Sequence, residues 1–280
     1  MIFNILKYFR HQCRKIRAIA FVTYKEWSAY RSHSMVSIFV GPVYFLVQYC
    51  IWKAVYMAKG GTESVINGMS FNQMLTYFGT NALIGYLTMD FADWNLQMLV
   101  RTGKFLTFAL RPIDHKLFAF SQKLGHRILG FTFEFIPCFM IFLFVFRISL
   151  IPEHWILAVL SIILGFCMTF LVNYCIGLTG FWIVRAEGLR KVFQTLQTVF
   201  SGMLVPLVFF GSWQKILFFL PFQYMIYVPS RVCTGSYELA GMNLDLNVAV
   251  AFQAVAVLIF FGITCLLYKA AMKRFNGVGA

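Results

Sequence analysis

The sequence predicts an all-α integral membrane protein with six transmembrane helices. Three observations carry that expectation. The 280 residues are 60% hydrophobic and only 12% charged, whereas soluble domains carry about 25% charged residues. Apolar runs of the ~20 residues that a helical span requires recur along the chain. The Lys and Arg residues are concentrated in alternate connections between those runs, which sets an orientation.

The expected spans are taken in order. The first covers 35–56 and tolerates Pro42 and Lys53 inside it. The second, 71–92, is the most polar, with Asn72, Gln73, Thr76, Thr80, Asn81 and Thr88. The third covers 128–146. The fourth, 155–184, is unbroken and long enough to tilt or project beyond the bilayer. The fifth covers 192–210 and the sixth 248–268. With this division, 19 of the 24 Lys and Arg residues lie in the N-terminal segment, the second and fourth connections and the C-terminal tail, leaving five elsewhere. Both termini are therefore expected in the cytoplasm. The same bias explains the net charge of +14 without a nucleic-acid partner.

Two segments are neither span nor ordinary loop. At 12–32, Ile16, Ala20, Tyr24, Trp27 and Tyr30 recur at helical spacing, with Arg14, Arg17 and Lys25 on another face. That pattern predicts an amphipathic helix in the membrane interface, in contact with lipid, the alternative being a solvated basic tail. The N-terminal apolar run is too short for a cleaved signal peptide. At 213–230 the apolar run KILFFLPFQYMIYVP is punctuated by Pro221 and Pro229. Proline removes a donor and disfavours a continuous helix, so this segment is expected to be a re-entrant hairpin covered by protein. A poorly formed extra span is the alternative.

The connection 101–114, RTGKFLTFALRPID, is too greasy for a plain loop and too charged for a span. Gly103 allows a turn, and Lys104–Leu110 is long enough for two turns of helix with Phe105, Phe108 and Ala109 on one side. Arg111 precedes Pro112, so the helix should stop there. An apolar face flanked by Arg101, Lys104 and Arg111 predicts docking, either on the membrane surface or in a groove of a cytoplasmic protein.

Asp90 and Asp93, expected near Arg101, and Glu134, on the same face as Arg127, are ionisable groups at membrane depth. Such groups are functional candidates by default, serving as ion pairs or in proton or substrate handling. Polar residues Asn81, Gln194, Gln197 and Ser201 on spans two and five either line an aqueous path or form helix contacts. The seven Cys and five His show no ligand spacing, so neither a metal site nor a disulfide is expected. The absence of H-E-x-x-H and of G-x-x-x-x-G-K-[ST] argues against an intramembrane protease and against an ATPase within this chain.

The order of these elements resembles the permease of type-2 ABC exporters: an amphipathic elbow helix, a coupling helix between spans two and three, and a re-entrant pair before span six. Gly103…Leu110-Arg111-Pro112-Ile113 is similar to the Gly…Leu-Arg-Pro pattern of a short bacterial subfamily, as are Phe181-Trp182 and Leu220-Pro221-Phe222. The resemblance implies an export or efflux permease of the bacterial inner membrane that catalyses nothing itself and binds no cofactor. ATP and Mg would belong to separate cytoplasmic ATPase subunits, which receive the coupling residues Arg101, Gly103, Lys104, Phe105, Phe108, Arg111 and Pro112. A second permease, identical or a sister chain, would complete the path by alternating access. An ion-coupled transporter or channel using Asp90 and Glu134 is the competing expectation.

Overall fold

The computed structural model describes residues 2–29, 36–183 and 186–275. Residues 30–32 of the expected interfacial helix, Met35 of span one, and Val184 and Arg185 at the end of span four lie outside them. The described residues are mostly helical, with two small hairpins.

Helix α1 (Ile2–Ser28) packs along α6 (His115–Gly130). Gly125 makes the approach possible, since a Cβ there would lie 2.3 Å from the carbonyl oxygen of Ala20. Ala20 and Thr23 are buried in that seam, while Phe21, Val22 and Trp27 are exposed. The apolar residues of α1 thus divide between a protein-facing seam and an open face.

Helices α2 (Val40–Ala58) and α3 (Phe71–Thr88) pack together and are joined by the hairpin β1 (Val65–Ile66) and β2 (Met69–Ser70). Ser70 and Gln73 form a reciprocal capping box that starts α3. Helix α3 is largely enclosed, with Met74, Tyr77, Phe78 and Asn81 buried. It stops at Thr88, short of the expected 92. Asp90 then accepts from the Ala92 N–H at 3.1 Å and starts α4 (Ala92–Arg101). One turn of helix, α5 (Leu106–Ala109), follows.

The expected third span begins earlier than 128. From His115 to Phe144 the chain is one 30-residue helical run. It comprises α6, a wide π turn at Phe131–Phe135, and α7 (Ile136–Phe144). Its cations turn into the protein, so they do not end the helix: Lys123 and Arg127 are buried. The π turn contains Phe133, the i−4 partner of Pro137. Pro137 cannot donate to that carbonyl, and its ring would crowd it.

Helix α8 (Trp155–Leu178) continues into a 3₁₀ turn at Thr179–Phe181 and packs along α12 (Leu246–Arg274). By length and composition, 115–144, 155–181 and 246–274 are each sufficient to cross a membrane. Helices α2 and α3, of 19 and 18 residues, reach roughly 28 and 27 Å, close to the ~30 Å hydrocarbon core.

The run 192–210 differs from the single helix expected for span five. Helix α9 (Glu187–Phe200) is amphipathic, buries no residue, and ends at Phe200. Gly202, at φ +83°, turns the chain. Pro206 then precedes a 3₁₀ segment at Leu207–Trp213. Apolarity alone did not register these two breaks. The stretch 213–230 is a series of short pieces: α10 (Gln214–Phe219), a 3₁₀ turn at Pro221–Tyr224 and α11 (Tyr227–Cys233). Residues Tyr227–Val232 are all buried, so this broken backbone is covered by the chain itself. A hairpin, β3 (Tyr237–Leu239) and β4 (Met242–Leu244), leads into α12.

The buried apolar residues form two clusters. The larger joins α2, α3, α7, α8, α11 and the start of α12. The smaller, with Leu96, Phe105, Tyr174, Leu178 and Ala271, holds α4, α8 and the end of α12 together around the 101–114 connection.

Candidate functional site

The 101–114 connection is anchored from within. Phe105 is 1% exposed, and its ring meets His115, Phe181 and Phe275 with centroids 5.1, 5.0 and 5.3 Å away. Phe108 packs on His115 and Phe118, with the Arg111 guanidinium 4.6 Å above its ring. The expected docking face is therefore corrected at Phe105, which is a core residue, while Phe108 is half-buried with Arg111 over its ring. With only one turn of helix at Leu106–Ala109, the outward apolar positions are Leu106, 40% exposed, and Leu110, 79% exposed. Gly103, at φ +71°, makes the turn into this segment. Lys104 is exposed, and the Pro112 carbonyl accepts from Lys15 Nζ on α1 at 3.4 Å.

His115, which no sequence signal singled out, is buried beneath this loop. Its Nδ1 lies 2.8 Å from the Tyr174 hydroxyl. The aromatic density around the loop was readable locally at Phe118 and Phe120. Phe181 and Phe275 come from remote parts of the chain and left no local sign.

Asp90 and Asp93 are ion-paired, with partners other than the expected Arg101. Asp90 meets Lys123 at 3.3 Å, with side chains 0% and 10% exposed. Asp93 meets Arg190 at 3.9 Å and accepts from Gln194 Nε2 at 3.2 Å. Burial raises the Asp93 carboxyl above its ordinary value, and the Trp94 backbone N–H and then Arg190 offset part of that. Arg101 turns to Glu187 of α9, at 2.7 Å, instead of to Asp90 or Asp93. Helical spacing could not place these partners, since each lies on a different element. Glu134 and Arg127 flank Gly130 together, as expected from their shared face. Arg127 Nη1 also donates to the Tyr86 carbonyl at 2.6 Å.

The four candidate path residues do not gather in one place. Asn81 is fully buried, accepts from the Ser230 hydroxyl and donates to the Gly202 carbonyl at 3.1 Å. Tyr77 donates to the same carbonyl at 2.6 Å, and Tyr44 to that of Met203. Ser201 is buried in the same region, its hydroxyl without a hydrogen-bond partner among the described residues. Gln194 is engaged with Asp93, and Gln197 is half-buried on α9. A second polar clamp escaped sequence reasoning. Gln253 of α12, fully buried, accepts from the Ser161 hydroxyl and donates to the carbonyls of Ser161 and Tyr224. Such amide bonds fasten helices where lipid offers no competing water.

A family model described as ABC-2 family transporter protein matches residues 42–279. The chain belongs to the ABC-2 transporter family. No match was found among curated proteins or among solved structures. Membership makes this chain a membrane-embedded permease of an ABC transporter, a class in which ATP hydrolysis resides in a partner ATPase subunit. The matched region contains the 101–114 connection, the buried charge pairs and the Gly202 turn, and begins after α1.

Proposed function

We propose that this permease is the transmembrane subunit of an ATP-driven exporter in a bacterial inner membrane, both termini cytoplasmic. It would form half of the substrate path together with a second permease. In this reading α2, α3, α6–α7, α8, α9 with the segment after it, and α12 supply six crossings. Helix α1 is the elbow, and 213–230 dips into the outer leaflet. The turn around α5 is the coupling element, seated on a cytoplasmic ATPase that holds ATP and Mg.

The observation that carries this reading is the construction of the 101–114 connection. Phe105 fixes it rigidly to the helix ends through the smaller core, while Leu106, Leu110, Lys104 and Arg111 face outward. A rigidly held knob with exposed apolar residues and flanking cations suits a groove in a partner. Two charge pairs, Asp93–Arg190 and Arg101–Glu187, then tie α4 to α9. A push on the loop is thereby delivered to a helix that is otherwise loosely packed. The ion-coupled alternative loses its support at Asp90, whose carboxylate is committed to Lys123.

The test is co-expression with the cognate ATPase. Leu106→Asp/Leu110→Asp should abolish co-purification and transport while the permease keeps its wild-type elution and melting behaviour. Retained ATPase binding at wild-type stoichiometry would overturn the assignment.

A further inference from the structure

We propose that the groove bounded by α1, α6, α8 and α12 is a binding site for one anionic phospholipid. The groove encloses about 750 Å³. Its walls are apolar, with Phe120, Phe170, Leu171, Val257 and Phe261. Its charged groups gather at one end. Lys15, Gln12 and Asp114 stand there with Lys116, which lies 3.3 Å from Asp114 and 4.5 Å from the centre of the Tyr268 ring.

Two features specify the ligand. The first is length. From Tyr268, level with the lysine end, α12 runs eleven residues to Val257 at the other end, roughly 16 Å. That is about half of a ~30 Å hydrocarbon core, the depth of one acyl chain in one leaflet. The second is charge. Two lysines against one aspartate leave a net positive mouth above an apolar trough, the arrangement that receives a lipid phosphate between helices. Phosphatidylglycerol carries a net negative charge on its phosphate, whereas phosphatidylcholine has no net charge.

The site deepens the functional reading in one respect only: that reading places the lysine end in the cytoplasmic leaflet. Lipid binding itself does not depend on ATPase docking, so either can fail alone.

The experiment is native mass spectrometry of the purified full-length chain with dioleoyl-phosphatidylglycerol or dioleoyl-phosphatidylcholine at equal concentration. The wild type should retain phosphatidylglycerol preferentially, by roughly five-fold for each lysine at the mouth. Lys15→Gln/Lys116→Gln should bring the ratio of the two adducts to about one while neutral lipid still binds. Cys167→Phe, which fills the apolar trough, should reduce both adducts. Arg17→Gln, on the other face of α1, should leave the preference intact. Inorganic phosphate should not compete, because the chain provides part of the affinity. Equal binding of both lipids by the wild type would refute the site, as would an unchanged preference in the double lysine variant. Loss of preference in Arg17→Gln would reduce the effect to general surface charge and refute it too. If the lysine variants do not fold, the Cys167→Phe and Arg17→Gln arms decide the question.

Discussion

Replacing Asp90 with Asn tests how far the α3–α6 junction depends on one buried ion pair. Asp90 and Lys123 are 3.3 Å apart and almost wholly enclosed. At an effective dielectric of about 20, two unit charges at that distance attract by roughly 5 kcal/mol. Asn keeps an acceptor for the Ala92 N–H, so the start of α4 is preserved and only the charge is lost. Lys123 is then left buried without its counter-ion, a situation that typically costs about 3–5 kcal/mol. Lys123→Met removes the other charge while keeping the aliphatic stem, and should cost a similar amount. The double variant Asp90→Asn/Lys123→Met buries no unpaired charge and should lie within about 1 kcal/mol of the wild type. The assay is SDS-driven unfolding in mixed micelles, read by tryptophan fluorescence and assembled into a double-mutant cycle. A cost below about 0.5 kcal/mol for Asp90→Asn would refute the reasoning. So would a double variant as unstable as the two singles added together.

Three further outcomes follow from the packing. Phe105→Ala should lower stability by about 3–5 kcal/mol in the same assay, whereas Leu110→Ala, at an exposed position, should change it by less than about 0.5 kcal/mol. Gly125→Val places side-chain atoms where the Ala20 backbone already lies; it should cost about 1–3 kcal/mol and raise hydrogen exchange across the α1–α6 seam. Gly202→Ala combines a φ of +83° with a Cβ 2.6 Å from the Tyr77 hydroxyl, and should cost more than Tyr77→Phe, which removes a single hydrogen bond worth about 1 kcal/mol.

The helical fold and the sites of its interruptions were largely written in local chemistry. Apolar length marked the helices now seen at 155–181 and 246–274, and Pro221 marked the break between α10 and the turn that follows. Where the structure departs from the sequence pattern, a long-range contact decided the outcome. Lys123 and Arg127 looked like the edge of a span, yet the helix continues through them because Asp90 and the Tyr86 carbonyl receive them. Phe105 looked available for docking because Phe181 and Phe275, distant in the chain, were not visible as its neighbours. The break at Gly202 gave only a single glycine as a signal. Its cause lies in Tyr77 and Asn81, more than a hundred residues away.

That turn also determines how α9 can move. The Gly202 and Met203 carbonyls are held by three side chains from α2 and α3, so this end of the helix is a fulcrum. Arg190, twelve residues away or roughly 18 Å along the axis, is held by a 3.9 Å ion pair to Asp93. A lever of that length converts a displacement of about 4 Å at Arg190 into a tilt of roughly 13°. The free end sweeps sideways while the Gly202 end only rotates. A tilt about that end would therefore be graded along the length of α9, largest at Arg190 and close to zero at Gly202, so Gln194 would travel about twice as far as Thr198.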